Sequence, residues 1–326
     1  MNITYVAKEA GVSIATVSRV INKSGHVSAK TYEKVMQVIN EHGYEPSLLG
    51  KSLRERNTKL ILVLVTNIVN SYYAKLIKGV EEVAREKGYH VMIANSYDLE
   101  EYENAYIPLL TKKMVDGIIL ASSSFNTSQI SKLAQKYPIV QCSENLFENV
   151  PLVAIDNQKA AYEIVEMMIK KNRKRIALLT VNNLKPSTID RFKGYMNALQ
   201  HYNIPFDKNL VMYSNYGYRN AYKTTEEFLI LNPDIDGIFA ISDRMAAGAI
   251  NAIKNAGKRV PDDIAVGSID NLEISYTVDP KLTTVSQRQD VMGRIAAEML
   301  IKRINREPIE NTKVYIDYEL KIRDSI

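Results

Sequence analysis

Seven short apolar runs, spread through the chain from Leu60 onward, most constrain what it can fold into. They are LILVLV (60–65), YHVMIA (89–94), DGIILA (116–121), YPIVQC (137–142), RIALLTV (175–181), DGIFAIS (236–242) and DIAVGSI (263–269). Each has the length of a strand and is apolar on both faces, so each must be covered from both sides. The stretches between them have helical periodicity. In YAKLIKGVEEVAREKG, residues Leu76, Val80, Val83 and Ala84 form one stripe and Gly88 ends the helix. Strands alternating with helices imply an α/β body with parallel sheets. About a dozen elements are too many for one small sheet, which predicts two similar lobes, the second starting near Asn157.

The first sixty residues read differently. Thr4 can cap a segment carrying Val6, Ala7 and Ala10, and Gly11 makes a tight turn. Ser13 caps SIATVSRVIN, where Val17, Val20 and Ile21 share one face. Ala15, Ser18, Arg19 and Asn22 share the opposite face. Ser28 caps a third helix running to His42 and stopped at Gly43, with Tyr32, Val35, Val38, Ile39 and His42 as its inward stripe. Two short helices joined by a glycine turn, with a third as support, match a helix-turn-helix. The second helix would enter the major groove, where small residues permit close approach and Arg19 can donate to guanine O6 and N7. A three-helix protein-binding module fits the same pattern.

Charge separates the two regions. Through Lys59 there are nine basic and five acidic residues, which supplies nearly all of the formal net charge of +5. A basic head on a neutral body points to a polyanion partner for the head alone.

The strings VAKEAGVSIATVSRVIN and GHVSAKTYEKV resemble the headpiece of the lactose-repressor (LacI) family, and GYEPSLLGKSLRERNTK is similar to the hinge segment of that family. The likeness continues through NRKRIALL, DRFKGYMNAL, ISDRMAAGA, VPDDIAVGSIDN and PKLTTVSQ, and so spans essentially the whole chain. Tyr5 departs from the acidic residue usual in the family, and Asn172-Arg173 from a common Gly-His pair. The resemblance implies a headpiece over 1–45, a hinge over 46–59 and a type I periplasmic-binding-protein-like body over 60–326. The body would cross between lobes three times: lobe 1 over 60–156 and 287–313, lobe 2 over 157–286 and 314–326. It also implies that Ile14, Ala15 and Arg19 carry operator specificity. Ser13, Thr16, Ser18, Asn22 and His26 would stand where the family contacts phosphates or base edges. Thr16 and Ser18 could equally be exposed helix polars, and Ile14 a core residue.

Pro46 and Ser47 open LLGKSLRER, a segment too short to be a stable helix alone and weakened by Gly50. In the family a hinge leucine wedges into the minor groove. The matching residue here is Leu53, flanked by Lys51 and Arg54. A plain basic linker is the alternative.

In open parallel sheets, ligands bind beyond the carboxyl ends of the strands. The segments after four runs, TNIVNSYY, NNLKPSTIDR, DR and DN, are rich in Asn, Asp, Ser, Arg and Tyr, which suits a polyhydroxylated or heterocyclic ligand. The resemblance puts Arg191 and Asp270 in that pocket, a donor fork facing an acceptor. With them it puts Tyr73, Tyr216, Ser242, Asp243 and, at the lobe junction, Asp156. An interlobe salt bridge or a surface pair is the alternative for Arg191 and Asp270, a helix cap that for Asp243, and core or interface packing that for the tyrosines.

An apolar share of 46% and a charged share of 24% are those of a soluble globular protein rather than a disordered one. No apolar run reaches membrane-span length, and MNITYVAKEAGVS lacks the shape of a signal peptide, so a cytoplasmic protein is expected. Cys142 is the one cysteine and the four histidines are scattered, so neither a disulfide nor a metal site is expected. No phosphate loop, GxGxxG, GxSxG or HExxH motif is present, so no enzyme and no cofactor are expected. YELKIRDSI reads as a terminal strand with no heptads after it, which favours a dimer over a coiled-coil tetramer. The function expected is a repressor that binds near-palindromic double-stranded DNA and answers to a sugar, sugar derivative or nucleoside. The alternatives are a regulator of this fold answering to a partner protein, and a solute-binding protein.

Overall fold

Asn2 opens the first helix, accepting a hydrogen bond from the Tyr5 N–H at 3.0 Å, so the cap lies two residues before the expected Thr4. Helix α1 (Ile3–Glu9) turns at Gly11, whose φ is +60°. Helices α2 (Ile14–Asn22) and α3 (Ala29–Glu41) are capped by Ser13 and Ser28. Val6, Ala7, Ala10, Val17, Val20 and Val35 form the small core. Tyr32 is exposed rather than inward. His42 is exposed as well and stacks edge-on against Tyr5 at 5.5 Å, because α3 is covered on only one narrow side.

These coordinates belong to a computed structural model that describes residues 2–44, 57–123 and 127–326. Contacts divide the chain into Met1–Lys59 and Leu60–Ile326. Pro46, Ser47, Lys51, Leu53 and Arg54 lie outside the described residues.

The body holds two six-stranded sheets. In the first, β1 (Leu60–Val65), β2 (His90–Asn95), β3 (Gly117–Leu120), β4 (Ile139–Cys142), β5 (Leu152–Ala154) and β11 (Lys313–Tyr315) run in the order β11-β5-β4-β3-β1-β2, all parallel. In the second, β6 (Ile176–Val181), β7 (Val211–Ser214), β8 (Gly237–Ala240), β9 (Ala265–Asp270), β10 (Thr283–Ser286) and β12 (Glu319–Lys321) run in the order β12-β10-β9-β8-β6-β7. All seven apolar runs contain strands. β12 alone is antiparallel, against β10, because the chain reaches it directly from the other sheet with no crossover helix.

The chain passes between sheets after β5, after β10 and after β11. Residue 314 does not begin the last passage, since Val314 pairs with Val153 inside the first sheet. Helix α4 (Ser71–Glu86) packs on α12 (Gln289–Asn305) beside the first sheet, α7 (Asn157–Lys170) on α8 (Pro186–His201) beside the second, and α9 (Tyr218–Leu231) on α10 (Asp243–Asn255). The first pair meets through two glycines. A Cβ on Gly293 would lie 2.1 Å from the Leu76 carbonyl oxygen, and one on Gly79 would lie 1.9 Å from that of Asp290. Backbone therefore touches backbone where α12, late in the chain, closes the first sheet. Cys142 lies buried in β4, and burial pushes its thiol up to about 12, as for an inert core residue.

Gly293→Val should destabilise the body by about 3 kcal/mol, since no flexible side chain can yield at that contact. Urea unfolding measures it, and a loss under about 1 kcal/mol would refute the close crossing.

Candidate functional site

On the head, α2 buries Val17 and Val20 and leaves Ile14, Ala15, Arg19 and Asn22 exposed. Ile14 is 47% exposed, which removes the core reading. Ser13 accepts from the Thr16 N–H at 3.2 Å, and its hydroxyl also meets that of Thr16 at 3.0 Å. Both residues are thus bound to the helix start, where first-turn N–H groups suit a phosphate. Asn22 donates to the Ser18 carbonyl oxygen at 2.6 Å and to its hydroxyl at 3.2 Å. Arg19 lies beside Gly25, and among the described residues it forms no hydrogen bond or ion pair. His26 is exposed on the loop that follows. The face therefore presents a free guanidinium among small side chains.

In the body, a cavity of about 400 Å³ opens between the lobes at the carboxyl ends of β1, β4, β8, β9 and β10. Tyr73, Arg191, Tyr216, Ser242 and Asp270 line it. Arg191, buried on α8, donates from Nε to Asn157 Oδ1 at 2.9 Å and from Nη1 to the Ile241 carbonyl oxygen at 2.5 Å. Its Nη2 is 3.9 Å from Asp270 Oδ1. Asp270 ends β9 with φ at +134°, a conformation costly for a residue with a side chain. It accepts from Gln287 Nε2 at 2.6 Å, while Gln289 Nε2 donates to its backbone oxygen at 2.6 Å. Burial pushes its pKa up to about 7, above the usual carboxylate range, against the pull of Arg191. The Tyr73 hydroxyl meets Thr66 Oγ1 at 2.9 Å, and Tyr216 stays half-exposed at the rim.

Asp156 and Asp243 are not among the residues lining the cavity. Asp156 caps α7, accepting from the Lys159 N–H at 2.9 Å. Asp243 is fully buried behind the wall and accepts from Ser268 Oγ at 2.5 Å, Thr284 Oγ1 at 2.6 Å and the Leu272 N–H at 2.6 Å.

Several lining residues went unnoticed in the sequence: Tyr97, Asp98, Ser122, Ser143, Glu144 and Gln287. Some of these bridge the lobes. Glu144, after β4, accepts from the Ser187 N–H at 3.0 Å and the Ser187 hydroxyl at 2.5 Å, so it caps α8 from the opposite lobe. Burial raises the Glu144 carboxyl, opposed by those two bonds. Lys185 Nζ reaches Asp98 at 2.7 Å and Ser122 at 3.0 Å, and Lys75 Nζ reaches the Asn271 carbonyl oxygen at 2.7 Å. The strand-end rule could have pointed to Ser143 and Glu144, which directly follow the run YPIVQC.

Residues 2–47 match the family model of bacterial regulatory proteins, lacI family, and residues 57–322 match that of periplasmic binding proteins and the sugar binding domain of the LacI family. The chain belongs to the LacI family. It is a DNA-binding transcription regulator. It is 37% identical to the HTH-type transcriptional regulator RegA of Clostridium saccharobutylicum, over 99% of this chain and 98% of that one. It is 34% identical to the ribose operon repressor of Halalkalibacterium halodurans, over 98% and 95%. Among solved structures, the transcriptional regulator CelR in complex with cellobiose matches with a TM-score of 0.74 and 29% identity, over 100% of this chain and 99% of that one. Among the described residues of this LacI-family chain, no helix is long and apolar enough to cross a membrane.

The buried Asp270 carboxyl makes stability depend on pH with a definite sign. Its folded value lies above its unfolded one, so the folded chain holds the proton more tightly and stability falls as pH rises toward neutrality. Carboxylates held low by surface partners, such as Asp263 and Glu319, contribute fully throughout that range. Asp270→Asn should therefore flatten the decline in melting temperature between about pH 5 and pH 8. A variant slope as steep as that of the parent would show that Asp270 is not the group responsible.

Proposed function

We propose that this chain is a homodimeric, operator-binding repressor controlled by a sugar, sugar derivative or nucleoside held in the interlobe cavity. The observation that carries this reading is the buried Arg191–Asp270 pair on the cavity wall, set on a strained strand end. A planar donor fork beside an acceptor suits vicinal hydroxyls or a ring N–H. The tyrosines add apolar faces for a sugar or base ring. The cellobiose bound to CelR and the ribose operon named for the other relative support a carbohydrate class.

The free Arg19 and its small neighbours read base edges, with Ser13, Ile14, Ala15, Thr16, Ser18, Asn22 and His26 as the surrounding contacts. Residues 1–45 form the headpiece and 46–59 the hinge, where Leu53 wedges between base pairs and Lys51 and Arg54 meet phosphates. Edge strand β2 carries exposed Met92 and Ile93, an apolar edge that a second copy would cover. A dimer places two reading helices about one helical turn apart, so the operator is near-palindromic with half-sites about 10 bp apart. On this reading the protein works in the cytoplasm on DNA, with no catalytic step and no cofactor.

Arg19→Ala should cost roughly 1–3 kcal/mol at its own base pair and relax specificity there. A mobility-shift series over operator variants reads this, and unchanged selectivity refutes the assignment of α2. Arg191→Ala and Asp270→Ala should each weaken effector binding about ten- to a hundredfold while leaving the apo protein on its operator. Operator titrations with and without effector decide it. Loss of apo DNA binding would make the pair structural instead.

A further inference from the structure

The cavity has three cationic side chains, and two of them are spoken for. Lys185 pairs with Asp98, and Arg191 lies against Asp270. The third lining carboxylate, Glu144, is bound by Ser187. Arg244 lines the cavity, and among the described residues it forms no hydrogen bond or ion pair.

Arg244 sits in the first turn of α10, a helix of 13 residues whose N-terminal end meets the cavity. The cap residue is Ser242. Its side chain does not cap the helix. Ser242 is 7% exposed and lines the cavity, yet its Oγ is buried with no hydrogen-bond partner. A buried hydroxyl without a partner costs stability unless a ligand supplies one. The neighbouring Asp243 does not fill the place, because both its oxygens are held by Ser268, Thr284 and the Leu272 N–H behind the wall.

We propose that Ser242, Arg244 and the N-terminal turn of α10 form an anion subsite, so that the effector is a polyhydroxylated molecule bearing a carboxylate or phosphate group. The inference rests on the cavity being the effector site. Helix N–H groups, a hydroxyl and a guanidinium all belong to the start of α10 at the cavity wall, each suited to anionic oxygen. The Arg191–Asp270 pair then takes the hydroxyl-bearing part. Two cavity cations keep their protein partners and the third receives its counter-ion from the ligand. The buried serine and the unpaired arginine are thereby explained together.

The test titrates inorganic phosphate, D-gluconate and D-glucose against the full-length protein at ionic strength matched with chloride. Thermal unfolding gives stabilisation, and tyrosine fluorescence gives affinity, as the chain has 20 tyrosines and no tryptophan. Phosphate or gluconate should bind above chloride. Arg244→Gln should weaken that binding about tenfold or more, as loss of a charge-assisted bond does, and Arg244→Lys should restore part of it. Ser242→Ala should weaken it too. A response to phosphate alone assigns a phosphorylated effector, and a response to gluconate a sugar acid. Failure of both anions to bind better than chloride, or undiminished binding by Arg244→Gln, overturns the subsite. Glucose binding that depends on Arg191, with no response to either anion, overturns the subsite and leaves the sensor reading standing. If operator affinity, measured on DNA selected from a random library, answers to no cavity ligand, the sensor reading itself falls.

Discussion

The cleft depends on a carboxylate that never reaches it. Asp243 is fully buried, and its oxygens collect Ser268 from β9, Thr284 from β10 and the Leu272 N–H from the loop between them. A buried charge survives only when its hydrogen bonds are complete, and here the bonds come from three separate places in the chain. They fix the ends of β9 and β10 against the start of α10. Asp270, which closes β9 in a strained conformation, is held in register by this arrangement and by Gln287 and Gln289. The strain is borne locally, while the donors behind the wall hold the site rigid.

Much of this was legible in the residues, for identifiable reasons. Six of the seven apolar runs announced central strands because such strands are buried on both faces, whereas YHVMIA forms the edge strand β2 with Met92 and Ile93 exposed. β5 and β11 are three residues each, too short to show a pattern. β10 reads TTVS, and polar residues there suggest a loop. It is a buried strand because Thr284 donates to Asp243, while the Thr283 hydroxyl donates to the Arg323 carbonyl oxygen and its N–H to Ser325. No local window shows such long-range partners. The same limit explains Asp243 itself, which sits in a strand-end motif suited to a ligand but faces backwards. Asp156 has a purely local role as a cap, and a cap and a ligand contact look alike in sequence. Glu144 follows the run YPIVQC closely, so its position was legible, but its bond to Ser187 on the other lobe left no local sign.

The two halves of the molecule divide their physics. The head has a core of six small side chains and an exposed face built for close approach to a polyanion. The body has large apolar cores and concentrates its polar chemistry between its lobes. The contacts Glu144–Ser187, Lys185–Asp98 and Lys75–Asn271 all cross that cleft and join the two lobes. A ligand changes the balance only by binding one arrangement of the lobes better than another.

The threefold passage of the chain between sheets has a consequence for biosynthesis. The first lobe emerges earliest from the ribosome, yet its sheet lacks β11 and the covering helix α12 until residues near 315 are made. The second lobe, lying in the middle of the chain, waits for β12 and for Ser325, whose hydroxyl donates to the Val266 carbonyl oxygen. Neither lobe is complete until these late residues are made, so both close almost together. Such late, non-local closure leaves the earlier strands incompletely covered until those residues arrive. The small head draws its three helices and its core from the first 44 residues and escapes that delay, so the helix-turn-helix has all its parts well before either lobe does.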